Sequence, residues 1–296
     1  MDENPTAVPT PLRALRPVDR LLLAALAALG AVAIAFHPRP GPSLLLFAVL
    51  ALFLCGCAAL AASSRAAAFL HDFAPLLVVV GIFEAVGELV AATNPRRWDG
   101  YFAALDARLF GALLPAWHGA LGRPAWLTDL LSLAYVSYYA VPLAMAVALR
   151  RRRRRREFDA LVLALQVTLL ASYAGYFAFP TSGPRVPPEQ AQAVLGGGAL
   201  SAGVRLFLRT CELNALDAFP SGHTAVSLVF LACGWRAFPA WLAPLALVVS
   251  AIVFSTVYLS HHYVVDLVAG ALLAAFVVAS GVLTPAARDP AGRRRA

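Results

Sequence analysis

The chain contains no lysine, and all 24 of its basic residues are arginine. A mechanism that needs a Schiff-base or phosphate-binding lysine is therefore excluded. Charge of either sign is scarce, at 14% of 296 residues, whereas 60% are hydrophobic and the mean hydropathy is +0.74. That balance lies far outside soluble composition, so a soluble enzyme is excluded as well. Cysteine is limited to Cys55, Cys57, Cys211 and Cys233. A C-x-C pair inside an apolar run is poor zinc geometry, and three of the four lie in apolar segments, so neither structural zinc nor disulfides are expected.

What the sequence has instead is apolar runs, at 21–36, 44–62, 74–92, 130–149, 160–179, 219–235, 237–259 and 263–284. The first resembles a signal peptide, but no A-x-A site precedes a hydrophilic mature domain, so it reads as a first span. In lipid the backbone must satisfy its own hydrogen bonds, and these runs are too long and continuous for barrel strands. The expected fold is all-α, a polytopic membrane helical bundle of about eight transmembrane helices.

Threading eight spans assigns 16 arginines to one side, namely Arg13, Arg16, Arg20, Arg65, the run Arg150 to Arg156, Arg236, Arg288 and Arg293 to Arg295. The other side receives 8: Arg39, Arg96, Arg97, Arg108, Arg123, Arg185, Arg205 and Arg209. The richer side is expected to be cytoplasmic, with both termini there, in a plasma (inner) membrane. The seven-arginine run is read as a topology anchor, so the net charge of +8 calls for no nucleic-acid partner. The expected organisation is a cytoplasmic tail over 1–20, N-terminal transmembrane helices over 21–149, a catalytic core over 150–284 and a cytoplasmic tail over 285–296. Two long connections, 93–129 and 180–218, fall on the extracytoplasmic side. The stretch Leu105 to Leu114 in the first resembles an interfacial helix, with Trp98, Trp117 and Trp126 as aromatic anchors.

Polar residues at span ends are informative, because a charge near the bilayer centre costs at least ~2.5 kcal/mol. Three clusters stand out: Phe179 to Arg185, Phe219 to Thr224, and Ser255 through Ser260-His261-His262-Tyr263 to Asp266. All three fall at helix ends on one side of the membrane, so Arg185, His223, His262 and Asp266 can converge in an extracytoplasmic pocket. His262 and Asp266, four apart at a helix opening, share a face; the carboxylate can take one imidazole proton and leave the other nitrogen as a nucleophile. Pro220-Ser221-Gly222 reads as a capped helix start whose N–H groups favour a phosphate. His223 could then protonate a departing alkoxide, and Arg185 could clamp phosphate oxygens. These groups suffice for phosphoryl transfer, and neither metal nor cofactor is expected.

Pro220-Ser221-Gly222-His223, together with Ser255, His262 and Asp266, resembles the second and third signatures of the type 2 phosphatidic acid phosphatase superfamily, over roughly residues 160 to 284. The resemblance implies that His262 is the nucleophile of a phosphohistidine intermediate, Asp266 its orienting carboxylate and His223 the general acid. Ser221, Gly222 and Ser255 would bind phosphate oxygens. The family's first signature begins with lysine and ends Arg-Pro, whereas this chain offers Pro184-Arg185, and Thr256 replaces the usual arginine after Ser255. These departures, with the Phe-Pro-Thr loop and His261-His262-Tyr263, are similar to the inositol phosphorylceramide synthase branch, although that branch often carries leucine in place of Gly222. The implied function is a membrane phosphotransferase or phosphatase that acts on a lipid phosphate or phosphoalcohol headgroup, with an alcohol, a lipid or water as acceptor.

Two alternatives stay open: a lipid phosphate phosphatase with water as sole acceptor, and a lipid or ion transporter whose path the same polar residues line. Glu84 and Glu88, four apart in the third span, are read as structural or headgroup contacts, and Tyr135, Tyr138 and Tyr139 as packing residues that could supply hydroxyls.

Overall fold

The structure, a computed structural model, describes residues 15–111, 113–187, 189–211 and 214–283, apart from the side chains at 114, 115 and 118. Twelve helices and no strand occur among them: α1 (Pro17–Phe36), α2 (Gly41–Leu60), α3 (Arg65–Thr93), α4 (Asp99–Phe110), α5 (Leu113–Leu121), α6 (Ala125–Arg151), α7 (Arg155–Ala178), α8 (Ala191–Leu195), α9 (Ala199–Cys211), α10 (Gly222–Ala237), α11 (Leu242–Tyr258) and α12 (Val264–Ala279). Each of the eight expected runs holds one of the long helices. Six of these are long and apolar enough to cross a membrane: α1, α2, α3, α6, α7, and α11 with the turn of 3₁₀-helix that leads into it. The chain is thus a polytopic helical bundle. The two others, α10 and α12, have 16 residues each. They are short because each begins at a polar motif that caps it, at Ser221 and Tyr263. The tails expected at 1–20 and 285–296 lie outside the described residues except for 15–20, where Pro17 already opens α1. Arg13, Arg288 and Arg293 to Arg295 also lie outside them.

The chain divides into two compact units, Met1–Thr93 and Asn94–Ala296. In the first, α1, α2 and α3 pack pairwise. Val78, Ile82, Val86 and Leu89 recur every three to four residues along α3 and are fully buried, the pattern of a helix with one face on a core. At one end, Arg16 donates to both oxygens of Asp19 and contacts Asp72, and His71 Nε2 lies 2.9 Å from Asp19 Oδ2. At the other end, His37 Nε2 lies 3.8 Å from Glu88, so this carboxylate of the third span has a histidine neighbour.

In the second unit α10 is central and packs against α7, α11 and α12. Ala225, Val226, Val229, Phe230 and Cys233 are buried around more than one face, as a helix surrounded by neighbours requires. α6 packs on α7, α9 and α11, and α4 on α12. The interfacial helix expected over 105–114 falls across the end of α4 and the start of α5, which Gly111 separates at φ +63°. Trp98 sits in an aromatic cluster with Tyr101, Phe102 and Phe179, and Phe102 stacks on Phe219 at 4.2 Å. This cluster fixes α4 beside the Phe219-Pro220 motif.

Candidate active site

The start of α10 supplies the first wall of the site. Ser221 is the N-cap: its Oγ accepts from the backbone N–H of Thr224 at 3.3 Å and from the Thr224 hydroxyl at 3.1 Å. Its own backbone N–H donates to the Asp266 carbonyl at 3.0 Å, which ties the start of α10 to the start of α12. The first-turn N–H groups of Gly222 and His223 have no acceptor within the helix and form the positive end of its dipole. A Cβ on Gly222 would lie 3.0 Å from the Tyr176 hydroxyl of α7, so glycine allows this turn to sit against that ring.

The tight turn between α11 and α12 supplies the second wall. The N–H groups of His261 and His262 both donate to the Thr256 carbonyl, at 2.8 and 3.1 Å, and Ser260 adopts φ +58° to allow it. Left-handed backbone at a residue with a side chain costs of order 1–3 kcal/mol and is characteristic of functional turns. Asp266 then closes the cap of α12 by accepting from the N–H of Tyr263 at 2.8 Å, while Asp106 of α4 accepts from the N–H of Val265 at 2.9 Å.

The imidazole of His262 is buried, and its Nδ1 lies 3.0 Å from the Ala218 carbonyl and 3.5 Å from Asp266 Oδ2. A carbonyl oxygen can only accept, so Nδ1 carries a proton, and in the neutral ring Nε2 is the nitrogen that keeps its lone pair. The carbonyl is thus the nearer orienting acceptor, with the fully buried Asp266 behind it as the compensating charge. Asp266 Oδ1 is buried with no hydrogen-bond partner.

His223 faces the same space, its ring centroid 6.0 Å from that of His262. Tyr135 stacks on it at 4.2 Å and Tyr138 at 4.1 Å, and Tyr135 also stacks on His261 at 4.3 Å. These tyrosines therefore pack the histidines in place. His223 Nε2 is buried without a partner.

The segments 180–185 and 214–218 clamp this arrangement. Ala218, whose carbonyl holds His262, donates its N–H to the Thr181 carbonyl at 3.0 Å. Asp99 accepts from the N–H of Ser182 at 2.7 Å, and Trp98 donates to the Pro180 carbonyl at 3.0 Å. Gly183 has φ +74°, and a Cβ there would come within 2.5 Å of the His261 carbonyl oxygen, so any side chain is strained and must displace that backbone. Arg185 pairs with Asp217 through Nη2 and reaches the Asn214 carbonyl through Nη1 at 3.4 Å. Burial and the nearby Arg185 guanidinium push the His261 imidazole down to about 3, so it is neutral at physiological pH.

The structure brings His223, His262, Asp266, Ser221 and Gly222 together. Ser255 is fully buried on α11 with its hydroxyl donating to the Ile252 carbonyl at 2.7 Å, and Thr256 likewise bonds Val253. Arg185 lines the adjacent cavity, held by an acidic partner that sequence reasoning missed. Asp99, Asp106, Asp217 and the Ala218 carbonyl were also missed. Only a carboxylate near the start of an amphipathic helix, as at Asp99, offered a sequence signal. Among the described residues no group of three or more His, Cys, Asp or Glu is placed to hold a metal ion.

An oriented histidine beside a second histidine and an open helix N-terminus, in a polytopic helical bundle, defines a membrane protein with a site suited to a tetrahedral anion. Residues 100–280 match the PAP2 superfamily, and the chain belongs to it. The match begins well before residue 160 and so takes in most of α4, with Asp106, and the tyrosines of α6. A PA-phosphatase related-family protein of Dictyostelium discoideum is 24% identical over 290 residues, covering 83% of this chain and 52% of the relative. The chain thus spans about half the length of that relative. No solved structure matches it.

Proposed function

We propose that this protein is a membrane enzyme that takes a phosphoryl or phosphoalcohol group from a lipid onto His262 and passes it to an alcohol or water. The observation that carries this reading is the 3.0 Å contact between His262 Nδ1 and the Ala218 carbonyl, which makes Nε2 the basic nitrogen of the neutral ring in a buried site. Nε2 attacks phosphorus and forms an N–P bond as the P–O bond to the leaving alkoxide breaks. His223 gives that alkoxide a proton. In the second half His223 takes the proton of the acceptor, whose oxygen displaces Nε2 from phosphorus. Asp266 stabilises the His262 ring while it carries positive charge, and the N–H groups of Gly222 and His223 stabilise the equatorial oxygens, with Arg185 shared between them and the neighbouring cavity that it lines.

The missing lysine and Thr256 favour the transferase branch, and Gly222 the hydrolases. The proposal is a phosphotransferase similar to the inositol phosphorylceramide synthase branch that also hydrolyses its donor slowly. The transporter alternative would place binding groups near the middle of broken helices, whereas these gather where α7 and α11 end and α10 and α12 begin.

The test is incubation of the purified protein with labelled lipid phosphates and candidate alcohols, with products resolved. A transferred product is expected, with inhibition by vanadate and none by EDTA. If acceptors at high concentration neither yield a product nor change the rate of phosphate release, the transferase reading fails and a lipid phosphate phosphatase remains. Loss of activity in EDTA that is restored by a divalent metal would overturn the phosphohistidine scheme. The extracytoplasmic placement predicts that Gln190→Cys reacts with an impermeant reagent from outside the cell and Arg153→Cys does not.

A further inference from the structure

Against α9 lies a cavity of about 300 Å³, reached by Arg185, Arg205, Arg209 and His261, with Ser132 and Ser260 beside them and apolar residues such as Leu195 and Leu208 in the rest of its wall. No carboxylate among the described residues lines it, although Asp217 pairs with Arg185 from behind. Arg205 is held in place by Gln192 Oε1 at 2.8 Å and the Gly196 carbonyl at 3.3 Å. The volume suits a small anionic group. His262 and His223 do not line this cavity, so its occupant differs from the reacting phosphate.

A second space, an almost wholly apolar groove of about 540 Å³, runs between α6 and α9 along Tyr139, Leu143, Leu200, Gly203 and Phe207. Two features join it to the site. Val204 borders both spaces. The Tyr139 ring lies 6.4 Å from Phe207 in the groove and 6.4 Å from His223. α9 itself is two-faced: Leu200, Gly203 and Phe207 are exposed, whereas Ser201 and Leu208 are buried.

We infer that the groove and the cavity form one binding site for an anionic amphiphile whose hydrocarbon chain lies between α6 and α9. Its reacting phosphate sits at His262 and His223, and a further anionic group occupies the arginine cavity. Charge complementarity on one side and an apolar channel on the other select such a molecule. The inference rests on the proposed function in taking this amphiphile to be the donor lipid.

The test uses the full chain in detergent and two non-hydrolysable alkyl probes with a photoreactive chain end, one a monophosphonate and one carrying two phosphonate groups. Labelling is expected on α6 and α9, and the doubly charged probe should bind about tenfold more tightly, a gain that Arg209→Gln should remove. A Cβ on Gly203 would meet nothing within 4 Å, so Gly203→Trp can plug the groove without disturbing the core and should weaken long-chain probe binding about tenfold. Labels confined to other helices, or equal affinity for the two probes, would overturn the inference. Turnover of a short, soluble phosphate ester by the same preparation separates the two claims. Turnover with misplaced labels sinks the groove alone, whereas correct labels without turnover uphold the groove and sink the proposed chemistry.

Discussion

Two buried histidine–aspartate pairs occur among the described residues, and they differ in what is left unsatisfied. In the first unit, His71 Nε2 meets Asp19, whose two oxygens also receive the Arg16 guanidinium and whose Oδ2 accepts the Arg16 backbone N–H at 2.8 Å. In the second unit, His262 reaches Asp266 only at 3.5 Å, its Nδ1 proton goes to a backbone carbonyl, and Asp266 Oδ1 has no partner. A buried polar network whose groups are all paired rigidifies a fold. One with an open lone pair and an unpaired oxygen retains capacity for a substrate, at a cost in stability. Identical residue types therefore carry opposite assignments, and hydrogen-bond saturation tells them apart.

The sharpest way to break this comparison is to remove each histidine. His262→Ala should lower turnover by at least ~10⁴-fold with little loss of folded protein. His71→Ala strips a partner from a buried charge network and should cost about 3–5 kcal/mol of stability, while turnover per folded molecule stays within about twofold. Equal loss of turnover in both, measured on size-purified protein, would erase the distinction.

Asp266→Asn comes next. Because the Ala218 carbonyl already fixes the Nδ1 proton, the loss should be nearer ~10²-fold than the ~10⁴-fold seen when an aspartate is the only orienting group. It should fall on kcat more than on KM. A smaller effect of the same kind is expected from Gly183→Ala, which must push the His261 backbone aside. A displacement approaching 1 Å costs up to about 10²-fold, and the substituted enzyme should recover nothing at higher substrate concentration.

The smallest effect concerns pH. His261 is held neutral with its folded value near 3, against 6.5 for the ordinary imidazole. The unfolded chain then binds the extra proton between these values, so this group's stabilisation is complete above about pH 6.5 and is lost as pH falls toward 3. The slope is at most about 1.4 kcal/mol per pH unit. Thermal unfolding in detergent between pH 4.5 and 7.5 should show it, and His261→Gln should flatten it.

The helices and the paired motifs were legible in the sequence because each is local. An apolar run of 16 or more residues specifies a buried helix in lipid, and Ser255, His262 and Asp266 are set by helical spacing and one turn. What stayed hidden is held across the chain. The Ala218 carbonyl orients the nucleophile, yet a backbone acceptor leaves no mark on residue type. Asp99 and Asp106 look like solvated residues of a surface helix until α4 is seen to cap the turn at Ser182 and the start of α12. The double stack of Tyr135 on His223 and His261 joins three segments, and no single one of them signals it.

The brevity of α10 and α12 has a dielectric consequence. Sixteen residues rise about 24 Å, against a hydrocarbon core of about 30 Å, so a helix of that length reaching the far surface begins several ångströms inside the near one. The phosphate would then be handled in a recess below the headgroup plane, where water is thin and fixed dipoles act at close to full strength. In such a recess a lipid alcohol arrives by lateral diffusion at high local concentration, while water must leave its own phase to compete.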